Sequence, residues 1–414
     1  MLIKGGQQLN GEVSVSGAKN SVLPLLFASL LADGEHEFEN VPNLMDVQSA
    51  LQLLNHLNCE TQMASGRVKV HVKQPTALEA PYDIVRKMRA SILCLGPLLS
   101  KYGEAKVSLP GGCAIGTRPI DLHLDAMRAM GAEIEVSQGY VLAKAKKLRG
   151  DRIIFDTTTV GGTENLLMAA ALAEGETLIE NAAKEPEIVD LADYLSKMGA
   201  KIEGAGSSVI RIQGVTSLKG TKHSVIPDRI EAGTLIIAGA ITGGDVRVKN
   251  MQPEDIEALL LKLKECGVQI SVEANSVRVQ APRQWQATDI STTPHPGFPT
   301  DLQAQFMSLM TVAQGTSVIT ENVFENRFMH VQELVRLDAD ITPKSRVAVV
   351  KGRPKGLKGA PVMATDLRAS ACLVLAGLAA QGETLVNRIY HLDRGYDGLE
   401  KKLSQLGAQV KRVK

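Results

Sequence analysis

Six segments of the chain are apolar on nearly every side, each over ten to thirteen residues. They read NSVLPLLFASLLA, RASILCLGPLLS, ENLLMAAALAE, AGTLIIAGAI, LQAQFMSLMTVA and RASACLVLAGLAA. A helix without a polar face belongs in a protein interior. Each segment is followed by a glycine, which can take the left-handed conformation at a helix end, and then by a short strand pattern. These glycines are Gly34, Gly103, Gly175, Gly244, Gly315 and Gly382.

Amphipathic helices alternate with the apolar ones, for example over Glu187–Met198 and Pro253–Cys266, and their ends repeat along the chain. The ends are of the type Leu-x-x-(Leu/Met)-Gly-Ala, clear in three places, weaker in two and degenerate in one. The central positions are Asn58, Gly131, Gly199, Gly267, Asp338 and Gly407, at intervals of 73, 68, 68, 71 and 69 residues. Six units of about 69 residues therefore account for all 414 residues.

Each unit predicts an apolar helix, a strand, an amphipathic helix and then a strand or hairpin. Six fully apolar helices in one chain imply cores that are built of helices, with sheets outside them. Three units could close around three buried helices, which would give two similar α/β domains of about 200 residues each. An elongated solenoid of six stacked units is the alternative that the pattern leaves open.

The composition is that of an ordinary globular protein, with 44% apolar and 22% charged residues. The formal net charge of +1 argues against a general nucleic-acid coat or a polybasic membrane binder. The five cysteines form no Cys-x-x-Cys pair, which favours a reducing cytosol over a disulfide framework or a zinc ribbon. The N-terminus lacks the apolar region of a secretory signal, and the longest apolar runs fall short of the ~20 residues of a membrane span. We therefore expect a cytoplasmic protein.

The N-termini of the six apolar helices carry unusual residues, again in phase with the repeat. These residues are Lys19, Arg89, Gly161, Arg229, Asp301 and Arg368. Helix N-termini bind anions, whereas a cation there is unfavourable unless an anion offsets it. If two three-unit domains face each other, all six termini could line one electropositive cleft for ligands that carry phosphates and carboxylates. The alternative is that Thr163 and Asp366 at these ends only cap their helices.

A glycine-rich segment, residues 110–122, reads PGGCAIGTRPIDL and predicts a loop that can move, followed by a helix that starts near Pro119. Cys113 lies between glycines and close to Arg118, so we expect some thiolate character. Cys94, Cys266 and Cys372 lie in apolar or helical contexts and are expected to be buried filler. His123, just beyond the loop, is either a ligand contact or an ordinary helix residue.

Two further charged segments, residues 325–330 and 391–396, precede the fifth and sixth amphipathic helices. Arg327 and Arg394 lie in them, near helix starts. The alternative to an anion-binding role is a pair of surface salt bridges, which stabilise little.

These motifs together resemble the UDP-N-acetylglucosamine 1-carboxyvinyltransferase family of enolpyruvyl transferases. The resemblance runs from Gly11 to the last residues and is most specific at SGAKN, LPGGCAIGTRPIDLH, NAAKEPEIVD, PHPGFPTDLQAQF, ENRFMHV, ATDLRAS and YHLDRGY. It implies two inside-out α/β barrel domains, each of three βαβαββ repeats around buried helices. One domain would comprise residues 19–226 with the cysteine loop, and the other residues 1–18 and 227–414, with the active site in the cleft between them.

The resemblance also implies a reaction. The family transfers the enolpyruvyl group of phosphoenolpyruvate to the 3-hydroxyl of UDP-N-acetylglucosamine and releases phosphate, by addition and elimination through a tetrahedral intermediate. This is the first committed step of peptidoglycan biosynthesis. The resemblance further implies that the protein needs no cofactor or metal and binds no nucleic acid or membrane. It implies a monomer with two small-molecule substrates.

Roles for individual residues follow from the resemblance. Cys113 would supply a proton to phosphoenolpyruvate, and Asp301 would act as the base for the sugar hydroxyl. The cations around phosphoenolpyruvate would be Lys19, Arg118, Arg327, Arg368 and Arg394, of which Lys19 and Arg394 are placed with the catalytic residues. The remaining substrate-binding residues would be Asn20, Arg89, Pro119, Ile120, Asp121, Leu122, Thr159, Val160, Gly161 and Val323. Residues 111–119 would close when the nucleotide sugar binds.

Three other functions remain open. A sibling enzyme of the same fold transfers the enolpyruvyl group to shikimate 3-phosphate, and would not need the loop cysteine. A non-catalytic paralogue would bind the UDP-sugar without turnover. An enzyme acting on nucleic-acid ends is disfavoured, because aromatic residues make up 3% of the chain and no base-stacking surface is apparent.

Overall fold

A computed structural model describes residues 1–109 and 120–413. Its α-helices are α1 Lys19–Ala28, α2 Met45–His56, α3 Tyr82–Val85, α4 Leu95–Tyr102, α5 Asp121–Ala129, α6 Val160–Ala170, α7 Pro186–Met198, α8 Arg229–Ile241, α9 Glu257–Glu265, α10 Gln303–Met310, α11 Val331–Arg336, α12 Leu367–Ala379 and α13 Leu399–Gln405. Short 3₁₀ turns cover Ser29–Leu31, Arg89–Cys94, Pro253–Ile256, Thr300–Leu302 and Ile389–Arg394.

The strands are short and distributed along the whole described chain. They are β1 Leu2–Lys4, β2 Asn10–Ser14, β3 Gly34–Glu39, β4 Glu60–Ala64, β5 Arg67–Val72, β6 Glu79–Ala80, β7 Glu104–Ser108, β8 Glu133–Ser137, β9 Tyr140–Lys144, β10 Arg152–Ile154, β11 Glu176–Glu180, β12 Lys201–Glu203, β13 Val209–Gln213, β14 Lys222–Ser224, β15 Asp245–Lys249, β16 Gln269–Glu273, β17 Ser276–Gln280, β18 Ile290–Ser291, β19 Thr316–Thr320, β20 Asp340–Lys344, β21 Val347–Lys351, β22 Pro361–Met363, β23 Glu383–Asn387 and β24 Gln409–Lys411. Their side chains alternate between buried and exposed, as in β5, so one face of each sheet meets the core.

The chain divides into two compact units. In the described part, it passes from one unit to the other after Ser16 and returns after Ile226. The resemblance placed the corresponding boundaries after residues 18 and 226. We call the described residues from 17 to 226 the first unit, and residues 1–16 with 227–413 the second unit.

Each unit contains three four-stranded sheets of one topology, a parallel pair extended by antiparallel strands. In the first unit the strand orders are β14-β3-β5-β4, β6-β7-β9-β8 and β10-β11-β13-β12. In the second unit they are β2-β15-β17-β16, β18-β19-β21-β20 and β22-β23-β1-β24.

Strands from opposite ends of each unit complete its sheets. In the first unit β14 pairs in parallel with β3, so the last repeat supplies a strand to the first. In the second unit β1 pairs with β23 and β24 of the last repeat, while β2 pairs with β15 of the first. Open-ended stacking would leave these edges unpaired, so the solenoid alternative is wrong and the predicted α/β class is confirmed.

The apolar helices lie inside the units, as their composition requires. All thirteen residues of α8 and all eight of α10 are buried. Two of the six apolar segments begin differently from the prediction, because each opens with a 3₁₀ turn before α4 and α10. Pro97 explains the first case: proline fits only in the first turn of an α-helix, and it is the third residue of α4.

The two repeat positions that depart from Gly-Ala keep the same backbone conformation. Asn58 and Asp338 have φ of 67° and 72°, close to the left-handed φ of Gly131 and Gly407. Asparagine and aspartate adopt this region more readily than other side chains, so the departures preserve the turn. One predicted cap was wrong: Gly243, with φ of 63°, takes the left-handed position rather than Gly244. Gly244 lacks a side chain for another reason, because a Cβ there would lie 2.1 Å from the Leu9 carbonyl oxygen.

One carboxyl group in the first unit is buried against others. Glu164, in the second turn of α6, is 5% exposed. Burial, reinforced by the nearby charges of Glu187 and Glu185, raises the pKa of Glu164 well above its usual value. The folded protein therefore retains a proton there that the unfolded chain releases as the pH rises.

Because Glu164 keeps its proton in the folded protein, we predict that Glu164→Gln stabilises the protein by an amount that grows with pH. Between the usual glutamate pKa and the raised folded value, the folded state binds more protons, so the wild type loses stability as the pH rises. The amide removes this loss. We expect the free energy of unfolding to increase by about 1 kcal/mol or more at pH 8, and by much less at pH 5. Denaturant unfolding across this range measures it, with exposed Glu133→Gln as the control; a pH-independent difference would contradict the explanation.

Candidate functional site

Asp301 bridges two buried arginines in the second unit. Nη2 of Arg327 donates to Oδ1 at 2.8 Å, and Nη2 of Arg368 donates to Oδ2 at 2.7 Å. The arginine side chains are each 4% exposed and the aspartate side chain is 24% exposed. Asp301 lies in the 3₁₀ turn before α10, Arg368 in the first turn of α12, and Arg327 in the segment between β19 and α11. The fold thus joins three residues that the sequence analysis named from separate motifs.

Aromatic rings support both guanidinium groups. Arg327 lies over Phe324 at 5.3 Å from the ring centroid, and Arg368 lies over Tyr396 at 5.5 Å. Nη1 of each arginine is buried and has no hydrogen-bond partner among the described residues. Two neighbouring guanidinium groups with unused N–H donors form a geometry that suits a phosphate or carboxylate.

The arginines control the charge of Asp301. Burial alone would raise its pKa, but the charges and hydrogen bonds of Arg368 and Arg327 outweigh burial and hold the pKa well below the usual range. Asp301 is therefore ionised at every physiological pH. In this state it is also a weak proton acceptor, because protonation would leave two buried cations without a counter-ion.

A second buried carboxylate, Glu321, fixes the loops around this cluster. It accepts hydrogen bonds from the hydroxyls of Thr292 and Thr300 at 2.8 and 2.9 Å, and from the backbone N–H groups of Val323 and Phe324 at 2.9 and 3.1 Å. Glu321 thereby holds the residue before Asp301 and the predicted substrate residue Val323. Sequence analysis did not single it out; the available signal was a carboxylate directly after the alternating strand β19.

The hydrogen bonds of Asp366 and Thr163 show which of the two residues caps its helix. The side chain of Asp366 accepts from the backbone N–H groups of Arg368 and Ala369 at 2.9 and 3.0 Å, so it caps α12. Thr163 is not a cap. The cap of α6 is Thr159, whose hydroxyl accepts from Gly162 N–H at 3.2 Å. Thr163 instead accepts from the Ala183 N–H at 3.1 Å and ties the following loop to the helix.

Arg394 ends the 3₁₀ turn over Ile389–Arg394 in the second unit. Burial lowers the pKa of His391, the positive charge of Arg394 lowers it further, and the charge of Asp366 opposes the shift. The turn that ends at Arg394 packs against α12.

Within the first unit, Lys19 forms an ion pair at the start of α1. Its Nζ lies 3.1 Å from Oδ2 of Asp46, which is 2% exposed. The first turn of α1 contains no acidic residue, so Asp46 on α2 supplies the charge that a cation at a helix N-terminus requires. Asn20 follows Lys19 in the same turn of α1.

His123 packs against the N-terminal end of α6. Its Nδ1 lies 3.1 Å from Nδ2 of Asn165, so this ring nitrogen is the acceptor. Burial, with a smaller effect of Arg89, lowers the pKa of His123 to about 4. A Cβ on Gly161 would lie 3.3 Å from the imidazole Cε1, so the ring meets the first turn of α6. His123 is a neutral, buried helix residue in this structure.

The remaining predicted binding residues divide between described and undescribed positions. Ile120 is the N-cap of α5, which begins at Asp121, close to the predicted start, and Leu122 lies in its first turn. Val160 and Gly161 open α6, and N–H groups in the first turn of a helix favour an anion. Cys113, Arg118, Pro119 and the predicted moving loop lie outside the described residues.

The cysteines expected as filler are buried. Cys94, Cys266 and Cys372 are free thiols inside their units, which confirms the prediction. Burial raises the pKa of Cys94 and Cys372 to about 12, so neither is reactive. Among the described residues, no group of three or more His, Cys, Asp or Glu side chains could hold a metal ion, and no helix there is long and apolar enough to cross a bilayer.

The shared carboxylate predicts a large stability change for Asp301→Asn. The amide removes the charge that offsets two buried guanidinium groups, so we expect the free energy of unfolding at pH 7 to fall by about 3 kcal/mol. Because the folded pKa of Asp301 is depressed, this contribution persists down to the usual aspartate pKa and disappears only as the pH falls through the depressed value.

The matched control for Asp301→Asn is Asp393→Asn. Asp393 also contacts an arginine, Arg412, at 2.9 and 2.5 Å, but the side chains are 28% and 41% exposed. Its loss should cost less than about 1 kcal/mol. Equal losses in the two variants, measured by denaturant unfolding, would contradict the importance given to the buried pairs.

Comparisons with known proteins show the family of this chain. The model of the EPSP synthase (3-phosphoshikimate 1-carboxyvinyltransferase) family matches residues 3–403. The UDP-N-acetylglucosamine 1-carboxyvinyltransferase of Bdellovibrio bacteriovorus is 64% identical over 413 residues and covers 100% of both chains. Its namesake in Geobacter metallireducens is 58% identical over 414 residues, covering 100% of this chain and 99% of that protein.

Solved structures give the same result for the fold. The enolpyruvyl transferase NikO from Streptomyces tendae has a TM-score of 0.89 at 26% identity, over 99% of this chain and 98% of that chain. An EPSP synthase from Acinetobacter baumannii has a TM-score of 0.73 at 18% identity, over 99% of both chains, and shares the fold. The chain belongs to the EPSP synthase (3-phosphoshikimate 1-carboxyvinyltransferase) family of enolpyruvyl transferases, and within it to the UDP-N-acetylglucosamine 1-carboxyvinyltransferases.

Proposed function

We propose that this protein transfers the enolpyruvyl group of phosphoenolpyruvate to the 3-hydroxyl of UDP-N-acetylglucosamine and releases phosphate. The observation that carries the proposal is the cluster of Asp301, Arg327 and Arg368, with buried N–H donors next to a carboxylate. Full-length relatives that are 64% and 58% identical bear the name of this activity.

The reaction balances without an oxidant or a reductant. In the addition step the sugar oxygen bonds to C2 of phosphoenolpyruvate, C3 takes up a proton, and the hydroxyl loses one. In the elimination step C3 gives up a proton, the bond from C2 to the phosphate oxygen breaks, and phosphate leaves. The protein must therefore supply a base, an acid and cations for the phosphate and the carboxylate.

We propose that the arginines bind the anionic groups of phosphoenolpyruvate and that Asp301 is the base for the sugar hydroxyl. The unused Nη1 groups of Arg327 and Arg368 would donate to phosphoenolpyruvate, with Lys19, Arg118 and Arg394 completing the cationic set. Anionic substrate would offset part of the arginine charge and raise the pKa of Asp301 from its depressed value. Asp301 would then accept the proton of the sugar hydroxyl.

The acid and the nucleotide contacts are assigned by the resemblance. Cys113 would protonate C3 of phosphoenolpyruvate. The first-turn N–H groups of α6, at Val160 and Gly161, suit the diphosphate because a helix N-terminus favours anions. The remaining substrate contacts are proposed at Asn20, Arg89, Pro119, Ile120, Asp121, Leu122, Thr159 and Val323. We further propose that the protein works in the cytoplasm, as a monomer, in peptidoglycan biosynthesis.

Phosphate release from phosphoenolpyruvate tests the proposal directly. We expect release that requires UDP-N-acetylglucosamine, does not occur with shikimate 3-phosphate, and falls by about 100-fold or more in Cys113→Ala, since a general acid contributes that much. Cys266→Ala, which changes a buried thiol, is the matched control and should retain activity.

The other outcomes separate the alternatives. Release that depends on shikimate 3-phosphate would assign the sibling activity. Retained binding of UDP-N-acetylglucosamine without any release would assign a non-catalytic binding protein. Equal activity of Cys113→Ala and the wild type would leave the transfer reaction in place but remove Cys113 as the acid.

A further inference from the structure

A buried polar cluster lies directly behind Asp301. It comprises Thr234 on α8, Gln305 on α10 and Tyr396 after the last 3₁₀ turn, and we call it the Gln305 cluster. Nε2 of Gln305 donates to the backbone oxygen of Asp301 at 2.9 Å and to Oη of Tyr396 at 3.1 Å, and lies 3.2 Å from Oγ1 of Thr234. Thr234 and Gln305 are fully buried and Tyr396 is 2% exposed.

Each hydrogen bond of the cluster can be given one donor and one acceptor without conflict. The carbonyl oxygen of Asp301 can only accept, so the amide nitrogen of Gln305 must face it. Thr234 donates its hydroxyl proton to the Ile230 carbonyl at 2.8 Å. The Tyr396 hydroxyl, 3.0 Å from Oγ1 of Thr234, therefore donates to Thr234 and accepts from Gln305.

The contacts of the cluster lead from Asp301, the proposed base, through Gln305, Tyr396 and Arg368 and back to Asp301. Gln305 holds the backbone of Asp301 and the hydroxyl of Tyr396. The ring of Tyr396 supports the guanidinium of Arg368, whose Nη2 returns to Oδ2 of Asp301 at 2.7 Å. Asp301 is thus held at its backbone and at its carboxylate by one connected set of side chains.

Stability alone does not require this arrangement. Oε1 of Gln305 is buried without a partner among the described residues, and an unsatisfied buried amide oxygen costs free energy that leucine would avoid. Gln303, two residues earlier on α10, is equally buried, and both of its amide atoms lack a partner in the described part of the chain. The two glutamines differ in that only Gln305 has a hydrogen bond to Asp301 among those described.

We propose that the Gln305 cluster positions Asp301 and Arg368 for enolpyruvyl transfer, an inference that rests on the proposed function. Gln305 fixes the backbone that carries the base, and Tyr396 fixes the guanidinium that faces it. None of the three residues touches a reacting atom in this assignment, so they are positioning residues. A displacement of about 1 Å in a reacting group can cost 100-fold in rate.

Steady-state kinetics of Gln305→Leu and Tyr396→Phe test the proposal, with Gln303→Leu as the matched control. We expect Gln305→Leu to lower kcat by about 10- to 100-fold, with a smaller change in KM for either substrate. Tyr396→Phe keeps the ring under Arg368 and loses the hydroxyl, so its kcat should fall by less. Gln303→Leu should keep kcat within about twofold of the wild type, because it removes no contact to the base.

A titration of the unliganded protein gives a readout that a purely structural role would not change. The ¹³C carboxyl resonance of Asp301, assigned by its absence in Asp301→Asn, should titrate at a higher pH in Gln305→Leu than in the wild type, because a loosened Arg368 stabilises the carboxylate less. Gln303→Leu should titrate like the wild type.

The outcomes distinguish the two proposals. If Gln305→Leu is less stable but keeps both kcat and the Asp301 titration, the cluster is structural and the inference is wrong. If Gln305→Leu does not fold, Tyr396→Phe decides, and an unchanged kcat with an unchanged titration overturns the inference. If the wild type transfers no enolpyruvyl group, the proposed function fails, while the titration of the unliganded protein still tests the cluster.

Discussion

One carboxylate, Asp301, makes the second unit's charged cluster possible. Arg327 and Arg368 are almost fully buried, and removing a guanidinium from water is costly unless an anion is held close in good geometry. Asp301 meets that condition for both arginines at once, with one carboxylate oxygen for each. Its orientation in turn depends on Glu321, which holds the threonine before it, and on Gln305, which holds its carbonyl oxygen. Burial of the two arginines therefore depends on the Asp301 carboxylate, and the position of that carboxylate depends on the hydrogen bonds of Glu321 and Gln305.

The repeat explains why these groups meet. Each unit encloses its apolar helices, and in the second unit Thr234, Gln305 and Arg368 come from the first two turns of α8, α10 and α12. Their contacts show that the N-terminal ends of these three helices converge within that unit. The first unit has a comparable arrangement, in which Asn165 near the start of α6 binds the Ile92 carbonyl and the Gly96 N–H. A fold with helices inside must place polar groups at helix ends, because backbone N–H groups there lack partners within the helix.

Sequence reasoning reached the repeats, the buried helices and the charged residues, since periodicity and local chemistry carry that information. It aligned Asn58 and Asp338 with the repeat glycines as departures from the pattern, and the structure shows that both adopt the left-handed turn, which their side chains tolerate. It missed the residues that act through long-range contacts. Gln305 meets Thr234 and Tyr396, which lie 71 and 91 residues away, and no local pattern predicts such pairs. It likewise assigned the left-handed turn to Gly244, because a close approach to Leu9 is invisible in the sequence.

The electrostatics of Asp301 impose an order on the proposed chemistry. A carboxylate that neutralises two buried guanidinium groups gains little from a proton, since protonation would strand both charges, so the unliganded site is a poor base. An anion that binds the remaining N–H groups of Arg327 and Arg368 supplies negative charge of its own, and protonation of Asp301 then costs less. In the proposed reaction, Asp301 would therefore accept the proton of the sugar hydroxyl only after phosphoenolpyruvate is bound. The ion pairs that stabilise Asp301 between Arg327 and Arg368 would thus also keep the proposed base from taking a proton until the anionic substrate is bound.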